Sequence, residues 1–299
     1  MATNSDATGR SLATYGIVVV AAVLIGTALA PQVWGVVADD GESDAVAVVE
    51  VSGSITGDSV DSLRETLRNV RANESIKAVV LEVDSPGGSA AASESLYLAV
   101  NETASEMPVV ASVQSTAASG AYYGMAPSEK IYALPSSTIG SIGVYATKPS
   151  TVPDQYVRSG PDKGTRGTTE DVRETVEQLQ RAFLETVMVH REAQLDLTRG
   201  QIAHGNVYTG AESVSNGLAD EIGTLDSAIG AAAQRADLDT YDIVHRELDQ
   251  RQIVLFSQAN ETTAVSVSDD QFGYEGVDTT QYLMLWGHLE NVEGVSADE

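Results

Sequence analysis

Val79-Val80-Leu81-Glu82-Val83-Asp84-Ser85-Pro86-Gly87-Gly88 is a β-branched apolar run that stops abruptly at a proline-glycine turn. About thirty residues later the chain repeats the design, with Val109-Val110-Ala111-Ser112-Val113 leading to Ala118-Ser119-Gly120-Ala121-Tyr122-Tyr123. Two such runs with a helical stretch between them predict a βαβ unit and a parallel sheet. In sheets of this kind ligands collect beyond the carboxyl ends of the strands, where both motifs sit.

The two motifs supply complementary chemistry. A tetrahedral oxyanion needs unobstructed N–H groups, and Gly87-Gly88 after a proline gives backbone that turns with positive φ and approaches a substrate closely. The amide of Gly120, following a candidate serine nucleophile, is a second donor. Residues 120–126 read as a helix, which puts the Ser119 oxygen near a positive helix end. Ser-Pro-Gly-Gly alone is an ordinary turn and Ala-Ser-Gly is common in loops; their order and shared context single them out.

A serine hydroxyl needs a base. The histidines, His190, His204, His245 and His288, all lie far along the chain from the glycine-rich segment. The lysines are Lys77, Lys130, Lys148 and Lys163. Lys77 stands at the wrong end of its strand and Lys130 opens the short run at 130–134, both on the solvent side. Lys163, within Ser159-Gly160-Pro161-Asp162-Lys163-Gly164 ahead of a long helix, is the leading candidate, and Lys148 the runner-up. An unperturbed lysine, with a pKa of about 10.4, is neutral in roughly one molecule in several thousand at pH 7, so a lysine base requires burial. In so acidic a chain, an ordinary lysine would instead find a carboxylate and stay charged.

Five segments in order carry a family resemblance: Asp84-Ser85-Pro86-Gly87-Gly88; Ala117-Ala118-Ser119-Gly120-Ala121-Tyr122-Tyr123; Ser137-Thr138-Ile139-Gly140-Ser141-Ile142-Gly143-Val144; the loop from Ser159 to Lys163; and Val207-Tyr208-Thr209-Gly210 with Gly217-Leu218-Ala219-Asp220-Glu221-Ile222-Gly223. Over residues 45–236 the chain resembles the S49 family of serine peptidases, of the signal peptide peptidase A type. The resemblance implies an α/β domain similar to the crotonase and Clp peptidase folds, with repeated ββα units. It also implies Ser119 as nucleophile, Lys163 as general base, and the amides of Gly88 and Gly120 as oxyanion hole. Two departures stand out: Ala121 occupies a position usually held by a second glycine, and the segment between Val144 and Lys163 is short, which bears on the base.

Composition narrows the classes. The 299 residues hold one large domain or two small ones. Absence of cysteine excludes disulfides and thiolate chemistry, and no cofactor is expected. With 43 acidic against 17 basic residues, a net charge of -26 disfavours nucleic acid, which requires clustered Lys and Arg. Acids spread over the whole length are expected of a surface solvated in high salt.

Residues 15–38 carry no charge and are long enough for a hydrocarbon core of about 30 Å, so an uncleaved transmembrane anchor is expected there. Pro31 directly after Ala28-Leu29-Ala30 disfavours signal cleavage. Arg10 is the only basic residue before the span, which places residues 1–14 in the cytoplasm and the catalytic domain outside. An acidic linker at 39–45 leads into the peptidase domain at 46–240, and 241–299 read as an uncertain extension, partly disordered, in which Trp286 with Leu283 and Leu285 forms an alternative docking segment.

Within the domain, strands are expected at 45–51 and 130–134 besides the two motif strands. Helices are expected at 58–72, 89–106, 168–195 and 198–204, the third with Val172, Val176, Leu179, Phe183 and Val187 at helical spacing. The expected activity is a membrane-anchored Ser-Lys endopeptidase acting on hydrophobic peptides such as signal-peptide remnants, working as a homo-oligomeric ring with sites shared between neighbours. A stomatin-operon-type Ser-Lys membrane protease and a non-catalytic peptide-binding relative are the alternatives.

Overall fold

The parallel pairing of the two motif strands is the centre of the fold. In a computed structural model, which describes residues 43–147, 169–246 and 281–286, Val79 to Val83 run beside Val109 to Val113 in register. They belong to β2 (Ile76–Ser89) and β3 (Val109–Ala118), both longer than their apolar runs because the pairing continues into the turn residues as far as Ser85 opposite Ala117. β1 (Ala45–Ile55) flanks β2, also in parallel, and α1 (Gly57–Ala72) and α2 (Ala90–Glu106) make the two crossovers. Beyond β3 come α3 (Gly120–Met125), β4 (Lys130–Ala133), β5 (Thr138–Gly140) and β6 (Tyr145–Thr147).

The long amphipathic segment forms α4 (Thr169–Arg191), followed by α5 (Arg199–Ile202), β7 (Val207–Thr209), α6 (Gly210–Asn216), β8 (Glu221–Ile222), α7 (Leu225–Arg235) and β9 (Asp242–Arg246). A last strand, β10 (Gln281–Leu285), comes from the segment expected to be partly disordered; there the structure gives a strand, because Leu283 and Met284 find buried positions in the sheet. β4 and β5 continue β3 in parallel at its lower and upper halves, β8 extends β4, β7 pairs β5, β9 pairs β1, and β10 lies antiparallel between β2 and β6. The result is a curled mixed sheet in an α/β fold.

The central strands are apolar on both faces, as a parallel sheet covered on each side requires. Val46, Val48, Ala78, Val80 and Val110 pack under the alanine-rich face of α7. Ala47, Val49, Val79, Leu81, Val83, Ala111 and Val113 face the opposite layer, which holds α1, α2 and all of α3. Helix starts are fixed locally: Thr56 and Ser59 form a capping box on α1, Thr209 and Glu212 one on α6, and the Ser89 side chain caps α2. The α4 stripe buries Phe183, Leu184 and Val187, while its first turns are more open.

One polar cluster crosses the core. Arg191, at the end of α4, is 1% exposed and donates to both carboxylate oxygens of Asp220, at 2.9 and 2.8 Å, and to the Gly217 carbonyl at 2.9 Å. Asp220 also accepts from the Ile131 N–H at 2.7 Å, so one carboxylate joins α4 to β4. Tyr122 of α3 donates to the Leu218 carbonyl at 2.8 Å in the same loop.

Among the described residues no helix is long and apolar enough to cross a membrane. The span read at 15–38 lies outside them, as do Lys148 and Lys163.

Removing the Asp220 carboxylate leaves the Arg191 guanidinium buried without its counter-charge. Asp220→Ala is expected to lower unfolding stability by about 3–5 kcal/mol, read as a lower denaturation midpoint in urea. Asp61→Ala, which removes an exposed helical pair with Arg64, is expected to leave the midpoint within error.

Candidate active site

The end of β3 sets the site. After Ala118 the chain turns sharply, and Ser119 adopts φ 52° and ψ -118°, a conformation unfavourable for a residue with a Cβ. Such a conformation costs about 1–3 kcal/mol and persists only where its surroundings enforce it. Here the Ser119 N–H donates to the Gly140 carbonyl at 2.8 Å, and its own carbonyl accepts from the Tyr123 N–H at 3.0 Å, starting α3. The Ser119 side chain does not cap that helix; its Oγ points to the Gly143 carbonyl, 3.4 Å away. Both carbonyl partners lie in the Ser137 to Val144 motif, which thereby gains a role as the cradle of Ser119.

The Asp84 to Gly88 turn approaches from β2. The Ser85 hydroxyl is buried; it donates to the Gly53 carbonyl at 2.6 Å and accepts from the Gly87 N–H at 3.2 Å, while Asp84 accepts from the Thr116 N–H at 3.1 Å. These bonds hold Gly87 at φ 95°. A methyl group on Gly87 would lie 2.7 Å from the Gly120 nitrogen and 3.0 Å from the Ala118 carbonyl oxygen. The turn and the start of α3 are therefore in direct backbone contact at Gly87 and Gly120, beside Ser119, whereas a methyl on Gly88 would meet the Ile55 backbone of β1. On its other side Gly120 is closed by Ser93 of α2, whose hydroxyl would sit 2.1 Å from an added methyl.

Below the serine, α3 is buried throughout. Ala121 is 1% exposed, so the position where a glycine is usual has no free volume for a larger group. Burial raises the Tyr122 phenol well above its ordinary pKa, and the Arg191 charge only partly opposes this, so it stays a neutral donor to Leu218. Tyr123 stacks edge-on with Phe183 and, tilted, with Tyr97; the Tyr97 hydroxyl meets Nε2 of His190 at 3.2 Å. Desolvation lowers the His190 pKa. Of the lysines, Lys77 pairs with Asp44 at 3.5 Å and Lys130 with Glu221, the carboxylate pairing expected of an ordinary lysine in this chain.

Sequence reasoning did not identify Ser85 and Ser93 as the groups shaping the turn, nor Met284. The Met284 carbonyl oxygen lies 2.0 Å from where a Gly87 methyl would be and 2.8 Å from a Gly120 methyl. Ser85, one residue before the proline, was readable as a turn residue. The short apolar run Tyr282-Leu283-Met284-Leu285 was the weak signal for β10.

With this geometry in place, comparison with known proteins gives a consistent class. Residues 101–239, from within α2 to just beyond α7, match the model for peptidase family S49. The chain is 30% identical over 227 residues to the chloroplastic serine protease SPPA of Arabidopsis thaliana, covering 66% of this chain and 33% of that protein. It is 32% identical over 206 residues to Protease 4 of Salmonella typhi, covering 63% and 32%. This chain thus spans about a third of the length of these two relatives. Among solved structures it is similar to a variant of the 1510-N membrane-bound stomatin-specific protease, with a TM-score of 0.48 and 14% identity over 69% of this chain and 98% of that one. Together the family match and the protease relatives support peptidase family S49, and with it a serine peptidase.

Both glycines beside Ser119 leave no space for a methyl. Gly87→Ala and Gly120→Ala are each expected to lower peptide hydrolysis by about 10²–10³-fold, the cost of misplacing one oxyanion donor. Gly230→Ala on α7, where an added methyl meets nothing within 4 Å, is expected to leave hydrolysis unchanged. Initial rates on a fluorogenic peptide, with far-UV circular dichroism as the folding control, check all three.

Proposed function

We propose that the protein is a membrane-anchored serine endopeptidase in which Ser119 attacks the peptide carbonyl, Lys163 accepts and returns the proton, and the N–H groups of Gly88 and Gly120 hold the oxyanion. The observation that carries this reading is the strained Ser119 at the mouth of a buried helix, against a glycine turn with no room for a side chain. Strain of that kind at a nucleophile is a recurrent means of presenting the hydroxyl outward. The substrates proposed are hydrophobic peptides, signal-peptide remnants among them. The apolar span at 15–38 would anchor the domain on the outer side of the membrane, and the acidic surface would suit a high-salt, haloarchaeal setting.

In this mechanism the Ser119 Oγ adds to the carbonyl carbon while its proton passes to the Lys163 amine. The tetrahedral oxyanion is held by the two amides, and the protonated lysine then gives its proton to the leaving amine. Water repeats the sequence on the ester. The lysine must be neutral to begin, so the rate rises with pH as it deprotonates.

Ser119→Ala is expected to abolish hydrolysis at unchanged stability. Lys163→Ala and Lys163→Arg should both stop it, since arginine keeps its proton at working pH, whereas Lys148→Ala should retain most of it. Steady-state rates against pH check the assignment: loss with Lys148→Ala and survival with Lys163→Ala would name the other lysine.

A ring with shared sites is the proposed assembly, in which a subunit contact supplies the dry environment that lowers the Lys163 pKa. Mixing Ser119→Ala with Lys163→Ala chains through dissociation and reassembly is then expected to restore about a quarter of the sites. No recovery in any mixture would place both residues in one chain.

A further inference from the structure

β9 ends the sheet on the β1 side. It pairs in parallel with β1 without a bulge, from Asp242 opposite Ala45 to Arg246 opposite Val49, and among the described residues nothing pairs its outer edge. Beyond β4 the sheet ends instead in β8, two residues long, whose Glu221 is tied to Lys130. Sheets guard such edges with very short strands, proline, lysine or bulges. β9 has none of these, and Asp242, Ile243, His245 and Arg246 are all exposed, Ile243 at 47%.

The direction of the main-chain groups decides how this edge can be used. The Asp242 N–H donates to the Asp44 carbonyl at 2.9 Å. Successive residues of a strand alternate in direction, so Asp242, Val244 and Arg246 bond inward to β1, while the N–H and carbonyl groups of Ile243 and His245 point outward. An antiparallel copy of the same strand fits those groups. Turned about Val244, a second β9 sets Ile243 against the second copy's His245 as a hydrogen-bonded pair on each side of the axis, with Val244 against Val244 as the close, non-bonded pair between them. The charges match as well, because Asp242 then faces the second copy's Arg246 at both ends. In a chain of net charge -26, few surfaces can meet their own copy without repulsion.

We propose that β9 is a contact surface for a second copy of this chain, joined edge to edge about a twofold axis through Val244, so that the two sheets run on as one. The contact is isologous, each copy giving and receiving the same bonds. Main-chain hydrogen bonds in the Ile243–His245 pairs hold it together, and the Val244 side chains close its centre. The Asp242–Arg246 pairs are exposed, so they contribute little energy and act on register instead. β9 runs along the Ala45 to Val49 half of β1, away from the carboxyl ends of the strands where Ser119 sits, so pairing leaves both sites open. The inference is independent of the peptidase reading and of the ring, in which this would be a further contact.

The chain has no cysteine, so one introduced at the axis reports the contact without background. Residues facing each other in a non-bonded antiparallel pair have Cα atoms about 4.5 Å apart, within disulfide reach. The full chain, purified in detergent, is oxidised with copper phenanthroline and followed on non-reducing gels. Val244→Cys is expected to form a covalent dimer roughly tenfold or more faster than Ile243→Cys, whose two copies lie beyond the disulfide limit of about 7 Å in this register, and than Leu98→Cys, an exposed position on α2. Adding Asp242→Arg to the Val244→Cys chain sets arginine against arginine and is expected to slow cross-linking to the level of those controls; adding Arg246→Asp as well is expected to restore it. Cross-linking of Val244→Cys no faster than both controls overturns the inference, whether the edge is bare or covered by later residues of the same chain. Fast cross-linking that Asp242→Arg leaves unchanged, or that the charge exchange fails to restore, overturns this register. Hydrolysis of a fluorogenic peptide through Ser119, measured on the same samples, tests the peptidase reading separately from either result.

Discussion

The site depends on how closely two backbones approach. The turn at Gly87 and the first peptide of α3 touch without any side chain between them, and each is held from behind, the turn by the buried Ser85 hydroxyl and the helix start by the Ser119 hydrogen bonds to the Gly140 to Gly143 segment. A single methyl in the gap would push apart the strands that carry them. The conformational cost at Ser119 is sustained because the parallel pairing of β2 with β3 leaves the chain no other course between Ala118 and a buried helix.

That arrangement is supported from below by charge. Arg191 and Asp220 are far apart in sequence and sit on different elements, and their bidentate pair ties the end of α4 to the loop that also receives the Tyr122 hydroxyl. A buried pair of this kind adds little net stability over an apolar filling, but it tolerates little displacement of its partners. Its value here is positional: it ties the end of α4 to the 217–220 loop on which Tyr122 of α3 is held.

Much of this was legible in the chain. The β-branched runs ending at Gly87-Gly88 and at Ser119 gave the parallel pair, because their lengths and the helical stretch between them leave few other arrangements. The long helix followed from apolar spacing. The strand at 281–285 was not readable with confidence, since it is short, lies in an acidic, glycine-rich stretch, and owes its conformation to edges supplied by β2 and β6, nearly two hundred and over one hundred residues earlier. The strain at Ser119 was invisible too, because nothing in Ala118-Ser119-Gly120 marks which of three small residues takes the positive φ.

The sequence distance of β10 has a consequence for synthesis. Pairing across so long a separation carries a large loop-closure cost and forms late compared with the local crossovers around β1, β2 and β3. On a chain emerging amino end first, the glycine turn, the serine and the helix beneath it exist as a folded unit while β10 has yet to be made. The edge of β2 beside Ser119 is therefore exposed during biogenesis, and the molecule passes through a stage in which its sheet is complete everywhere except at the place where chemistry is proposed.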